Sequence, residues 1–182
     1  MALIYLVRHG KAAASFTDDI DPGLDKLGNS QAELVCESLL KNMPLDILSS
    51  PLLRAQETAA PFARKTGLDV NIENRVSEIP SPDLSLQERG AWLGSVMEGL
   101  WSEQSDSLKT WRGDLAKCLL SIKSDTVIFS HFVAINAAVS LAENADQVLM
   151  FRPDNCSVTI IETDGHSLQL IQRGQDAQTK VN

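Results

Sequence analysis

Two periodicities alternate along this chain. Short apolar runs, β-prone in composition, are separated by longer stretches whose apolar residues recur every three or four positions. The first run is Ala2-Leu3-Ile4-Tyr5-Leu6-Val7, read as a buried strand that ends at Arg8-His9-Gly10. Further runs at Leu45-Asp46-Ile47-Leu48, at residues 69–72 and at Thr126-Val127-Ile128-Phe129 predict three more strands. Leu27, Ala32, Leu34, Val35, Leu39 and Leu40 predict a helix over 27–41, with Pro44 beyond its end. A second helix is expected to start near Pro51 and to stop at Gly67. Residues 84–120 are helical by elimination, divided by Gly90, Gly94, Gly99 and Gly113, and a further helix carries Val133, Ile135, Ala137, Ala138 and Leu141. Residues 157–162 and 167–171 read as strands joined by the hairpin signal Thr163-Asp164-Gly165-His166. Loops are expected at 12–24, around Pro22-Gly23, and at 76–83, around Glu78, and the polar end at 174–182 as a frayed tail.

Strands that alternate with helices imply a mainly parallel sheet covered on both faces. The fold class is therefore α/β: a three-layer αβα sandwich with a mainly parallel central sheet and an antiparallel edge hairpin. With 182 residues, no internal repeat and no linker composition, the chain reads as one domain over 1–182. All three tryptophans, Trp92, Trp101 and Trp111, lie in the helical region. They fit core packing, or a substrate-covering helical lid within the domain at 80–120.

A net charge of −8 disfavours a nucleic-acid surface or an anionic membrane as partner. Any anion must be drawn by a local positive cluster. Cys36, Cys118 and Cys156 are odd in number and widely spaced, which predicts free thiols in a reducing compartment. The N-terminal run is too short for a signal segment, and no stretch has the length of a membrane span, so the expected location is cytoplasmic.

Two predicted strands end alike, at Arg8-His9 and at Ser130-His131, and a third leads through Ser49-Ser50 into a helix with Arg54 in its first turn. Parallel strands present such ends along one sheet edge, where α/β proteins bind ligands. Two arginines and two histidines would meet there. Arginine offers a planar fork to phosphate, and histidine a nucleophile or base near neutral pH. Taken singly, Arg54 reads as a solvated helix residue, His131 as a hydrogen-bonded strand end and Glu78 as a surface carboxylate; their joint placement points to a phosphoryl site. No metal-ligand spacing, no GxGxxG and no P-loop is present, so neither a metal nor a cofactor is expected.

Leu6-Val7-Arg8-His9-Gly10 resembles the signature of the histidine phosphatase superfamily, which includes the phosphoglycerate mutases. The similarity continues in order through Asp21-Pro22-Gly23-Leu24-Asp25-Lys26-Leu27-Gly28 with Gln31-Ala32, Ser49-Ser50-Pro51-Leu52-Leu53-Arg54-Ala55 with Thr58-Ala59, Ser77-Glu78-Ile79, Ser130-His131 and Asn155-Cys156-Ser157-Val158. The resemblance implies that His9 carries the phosphoryl group, that Arg8, Arg54 and His131 grip its oxygens, and that Glu78 is the general acid and base. It also places Ser15 at a phosphate-binding position, where many relatives have asparagine. Lys11 and Phe132 depart from the family pattern, Lys11 as a possible added positive charge at the pocket mouth. So does Ile79-Pro80-Ser81-Pro82 after Glu78. These departures bear on the substrate more than on the chemistry.

The expected activity is hydrolysis of a phosphomonoester by a metal-independent histidine phosphatase. The expected partner is a small phosphorylated substrate or a phosphoprotein, and the oligomeric state is left open. A phosphohistidine-protein phosphatase, a phosphoglycerate mutase-type transferase and a non-catalytic phospho-ligand module are the alternatives.

Overall fold

The computed structural model describes residues 1–15, 18–43 and 45–177. Part of the predicted loop at 12–24 (Phe16 and Thr17), the helix-ending Pro44 and the tail from residue 178 lie outside the described residues.

Among the described residues one mixed sheet is formed by β1 (Ala2–Arg8), β2 (Asp46–Ser49), β3 (Asn71–Ile72), β4 (Thr126–Ser130), β5 (Val158–Thr163) and β6 (Leu168–Gln172). Their order across the sheet is β3-β2-β4-β1-β5-β6. β1 and β2 each pair in parallel with β4, and β3 in parallel with β2. β5 runs antiparallel to β1, and β6 antiparallel to β5. The helices are α1 (Lys26–Leu39), α2 (Leu53–Thr66), α3 (Leu86–Glu98), α4 (Asp106–Leu120) and α5 (Phe132–Ala142).

Strand periodicity divides the core. Tyr5 and Val7 of β1 pack with Val35, Cys36 and Leu39 of α1 and with Ala55, Ala59 and Phe62 of α2. Ile4 and Leu6, one residue out of phase, join a second cluster with Leu115 and Leu119 of α4 and Val133, Ile135 and Ala137 of α5. The three-layer αβα arrangement follows from that alternation, because each face of β1 must be covered.

Some predicted boundaries move. β3 is shorter than the expected run at 69–72; both its residues are exposed and pair only with Leu48 and Ser49 at the sheet edge, so no buried face extends it. Pro51 lies outside α2, whose start is fixed instead by Asp21: its carboxylate accepts the Leu53 amide at 2.8 Å. Of the four glycines expected to divide 84–120, only Gly99 stands at a break. Gly90, Gly94 and Gly113 lie within α3 or α4, whose starts are capped by Ser85 and Ser105. A 3-10 turn, Trp101–Glu103, joins the two helices. Trp101 is fully buried in the second cluster, and Trp92 and Trp111 pack against it. No helix among the described residues is long and apolar enough to cross a membrane.

Candidate active site

The C-terminal ends of β1, β4 and β2 lie side by side. The His9 amide donates to the Ser130 carbonyl (3.0 Å) and the Ser50 amide to the Phe129 carbonyl (3.0 Å). This lateral locking brings Arg8, His9, His131 and the start of α2 to one edge. Gly10 is required by a close approach: a Cβ there would lie 2.6 Å from the Gly28 carbonyl oxygen. The turn after His9 is thereby pressed against the first turn of α1. The Gly10 amide donates to Thr58 Oγ1 (3.0 Å), and that hydroxyl donates to the Arg54 carbonyl (2.6 Å). From the other side, Asn155 Nδ2 donates to the His9 carbonyl (2.9 Å) and the Cys156 amide to the Arg8 carbonyl (2.9 Å). Cys156 sits in the left-handed backbone region (φ 57°) to make this turn.

Two contacts define the protonation of His9. Its Nδ1 lies 2.7 Å from the Gly10 carbonyl, which only accepts, so Nδ1 carries the hydrogen. Its Nε2 lies 3.2 Å from Arg54 Nε, which only donates, so Nε2 presents a lone pair. Burial, reinforced by the positive charges of Arg54 and Arg8, lowers its pKa to about 3. The ring is therefore neutral near pH 7.

His131 faces it, with ring centroids 5.2 Å apart. It is fully buried, and its pKa is lowered well below the ordinary value by desolvation and then by His9, Arg54 and Arg8. Its Nε2 is 2.8 Å from Ser50 Oγ, and its Nδ1 is buried without a partner among the described residues. Arg8 donates to the Pro153 carbonyl (2.8 Å), and its guanidinium lies 5.2 Å from the centroid of the Phe132 ring. Arg54 is buried and 3.7 Å from the Asp21 carboxylate. Both guanidiniums keep their charge despite partial desolvation.

Glu78 comes from the loop after β3 and lies against the start of α5. It accepts from the amides of Ile79 (3.0 Å), Val133 (3.1 Å) and Ala134 (3.2 Å). Desolvation raises its pKa, opposed by these amides and by Arg54. Arg8, His9, Arg54, Glu78 and His131 thus form one electrostatically coupled cluster. A neutral imidazole with an unprotonated Nε2, two guanidiniums and a carboxyl of raised pKa can accept a phosphoryl group, hold its oxygens and pass a proton.

Two other residues singled out in the sequence are held differently. Ser15 is exposed, and its hydroxyl donates to Asp18. Lys11 pairs with Asp25 at 3.2 Å, which offsets the charge it would bring to the mouth. Ser50, Thr58, Asn155 and Asp21 stand in the quoted motifs, but sequence reasoning gave them no role. Their partners lie 32 to 146 residues away in the chain. The available signal was their position beside an assigned residue. Two surface hollows, of about 270 and 350 Å³, are lined by other residues: one by Trp101, Arg112 and Asp146, the other by Glu33, Glu57 and Arg64. Among the described residues no group of three or more His, Cys, Asp or Glu is placed to hold a metal ion.

A family model of the histidine phosphatase superfamily (branch 1) matches residues 4–176. A glucosyl-3-phosphoglycerate phosphatase of Mycobacterium tuberculosis is 30% identical over 115 residues, 61% of this chain and 48% of that protein, so the match spans about half of the relative's length. The probable phosphoglycerate mutase GpmB of Photorhabdus laumondii is 28% identical over 185 residues, covering 89% of this chain and 85% of that protein. The structure of mycobacterial glucosyl-3-phosphoglycerate phosphatase with inorganic phosphate superposes with a TM-score of 0.75 at 23% identity. That superposition covers 99% of this chain and 100% of the other, a likeness of fold.

Proposed function

This chain belongs to the histidine phosphatase superfamily, and from that premise we propose that it is a phosphatase hydrolysing a small phosphomonoester through a phosphohistidine on His9. The observation that carries the proposal is the doubly fixed His9 ring. Gly10 holds the hydrogen on Nδ1, and Arg54 meets the lone pair on Nε2.

In the first step the Nε2 lone pair attacks phosphorus while the bond to the leaving oxygen breaks. Glu78 gives that oxygen its proton; its raised pKa keeps a protonated fraction available. Arg8, Arg54 and the unpartnered Nδ1 of His131 hold the non-bridging oxygens as charge redistributes. In the second step water attacks phosphorus, the P–N bond breaks and ionised Glu78 takes the water's proton. Inorganic phosphate leaves, and His9 and Glu78 return to their starting states. Charge on the transferring group is balanced by the two guanidiniums, so the scheme needs no metal ion.

The substrate class we favour is a small phosphorylated metabolite, in keeping with the activities named for the relatives. A mutase-type transfer is the second reading, because the probable phosphoglycerate mutase matches over 85% of its own length. The pairing of Lys11 with Asp25 favours hydrolysis, since a mutase must retain a highly charged intermediate. Free Cys36, Cys118 and Cys156 support a cytoplasmic setting.

One experiment tests the proposal: phosphate release from an aryl phosphate and from a panel of sugar phosphates, phosphoglycerates and phosphoserine, with a chelator present. Release that disappears in His9→Ala supports it. Full activity in that variant overturns the role of His9, and an isomer in place of phosphate favours the mutase.

A further inference from the structure

We propose that Ser50 is a positioning residue that fixes the tautomer of His131, so that this ring serves the phosphoryl group as a neutral hydrogen-bond donor through Nδ1–H. The inference rests on the functional reading above and assigns a task to a serine without one.

A serine hydroxyl has one hydrogen and two lone pairs. Ser50 Oγ accepts from the Leu52 amide (3.2 Å) at the entry to α2 and lies 2.8 Å from His131 Nε2. Ser50 and His131 are both fully buried, so solvent takes neither role. If Nε2 carried the hydrogen, Ser50 Oγ would accept twice and its own hydrogen would need another acceptor. Among the described residues the hydroxyl meets only Nε2 as an acceptor. In that arrangement Nδ1 would also be a buried lone pair, which would repel the phosphoryl oxygens of the proposed substrate. If Ser50 donates to Nε2 instead, every contact of the hydroxyl is satisfied and one orphan remains, the Nδ1–H. An anionic phosphoryl oxygen satisfies that orphan, and a buried donor of this kind makes its strongest bond to a charged acceptor. The doubly protonated ring is disfavoured by burial and by the neighbouring arginines.

Ser50 is well placed for this task. Its amide is tied to the end of β4 through Phe129, next to His131, and its hydroxyl to the start of α2, which carries Arg54. One residue therefore sets the distance between two phosphate-gripping groups as well as the orientation of the imidazole.

The test reads the ring directly. Nitrogen-15 NMR of wild-type protein, with and without vanadate as phosphoryl analogue, should show His131 with protonated Nδ1 and unprotonated Nε2. The hydrogen on Nδ1 should be protected from exchange when vanadate is bound. An Nε2–H tautomer in the wild type overturns the proposal. In Ser50→Ala the His131 signal should move to a mixture or to the Nε2–H form, and vanadate affinity should fall about tenfold, the loss of one charge-assisted hydrogen bond. An unchanged tautomer with unchanged vanadate affinity in that variant also overturns it. The wild-type spectrum decides the matter even if Ser50→Ala does not fold. The two readings separate cleanly: a protein that releases no phosphate but shows the Nδ1–H tautomer sinks the phosphatase and leaves the tautomer standing. Phosphate release with an Nε2–H tautomer does the reverse.

Discussion

Arg54 Nε donates to His9 Nε2 across 3.2 Å, so the cation that would hold the substrate's phosphoryl group also engages the nitrogen that would attack it. The contact needs an unprotonated nitrogen, and the positive charge keeps it so. In the mechanism proposed above, arriving phosphoryl oxygens would compete for the same N–H, and that exchange would free the lone pair for attack.

Replacing Arg54 by methionine should therefore do two things. Loss of a preorganised donor should cut kcat by about 100-fold or more. Loss of the charge should raise the His9 pKa from about 3, detectable as an upward shift of its NMR titration. An activity loss without a pKa shift would mean that Arg54 serves the substrate alone.

The same depressed pKa has a stability consequence. Between the ordinary value of 6.5 and about 3, the unfolded chain binds more protons at His9 than the folded protein does. Stability contributed by the neutral ring is complete above pH 6.5 and is lost as the pH falls toward 3. Denaturant midpoints should drop across that window, and His9→Gln should flatten the drop. An identical slope in the variant would remove His9 from the linkage.

Glu78→Gln keeps one acceptor oxygen for the Val133 and Ala134 amides but removes the transferable proton. Alkyl phosphates, with poor leaving groups, should slow far more than activated aryl phosphates. In the wild type the raised Glu78 pKa should carry the basic limb of kcat/KM above the usual carboxylate range, and the variant should lose that limb. Equal slowing of both substrate classes would place the acid elsewhere.

Phe132→Gly uncovers Arg8, whose guanidinium lies 5.2 Å from the ring centroid. A cation–π contact of about 0.5–2 kcal/mol should be lost. The expected result is a several-fold rise in KM at nearly unchanged kcat, with larger leaving groups accepted. Steady-state kinetics over a size series of esters gives the answer.

Gly10→Ala forces a Cβ toward the Gly28 carbonyl, where backbone cannot swing aside as a flexible side chain would. Overpacking of this kind costs about 1–3 kcal/mol. A lowered Tm, together with loss of activity through displacement of His9, is expected from thermal denaturation and assay of the same sample.

Much of this architecture was legible because it depends on local pattern. Apolar alternation in β1 puts Tyr5 and Val7 on one face and Ile4 and Leu6 on the other, and a chain with both faces apolar needs helices on both sides. Arg8-His9 and Ser130-His131 could be placed together because parallel strands share an edge. What escaped depends on distance in the chain. Asp21 starts α2 from another loop, Asn155 reaches back to His9, and Ser50 contacts a ring that follows a different strand. Composition likewise could not say which glycine ends a helix. Gly99 does so while Gly94 and Gly113, with open space where a Cβ would be, are simply tolerated.

The position of β1 in the sheet has a kinetic meaning. The strand that carries His9 is central, yet its two neighbours are Thr126–Ser130 and Val158–Thr163. During synthesis the central strand emerges more than a hundred residues before either of its partners. Until then a hydrophobic strand with two open edges must be kept from pairing with other chains. High contact order of this kind slows folding and lengthens exposure to aggregation. Refolding should be slow for a domain of this size, and truncations that end before β5 should be insoluble rather than partly active.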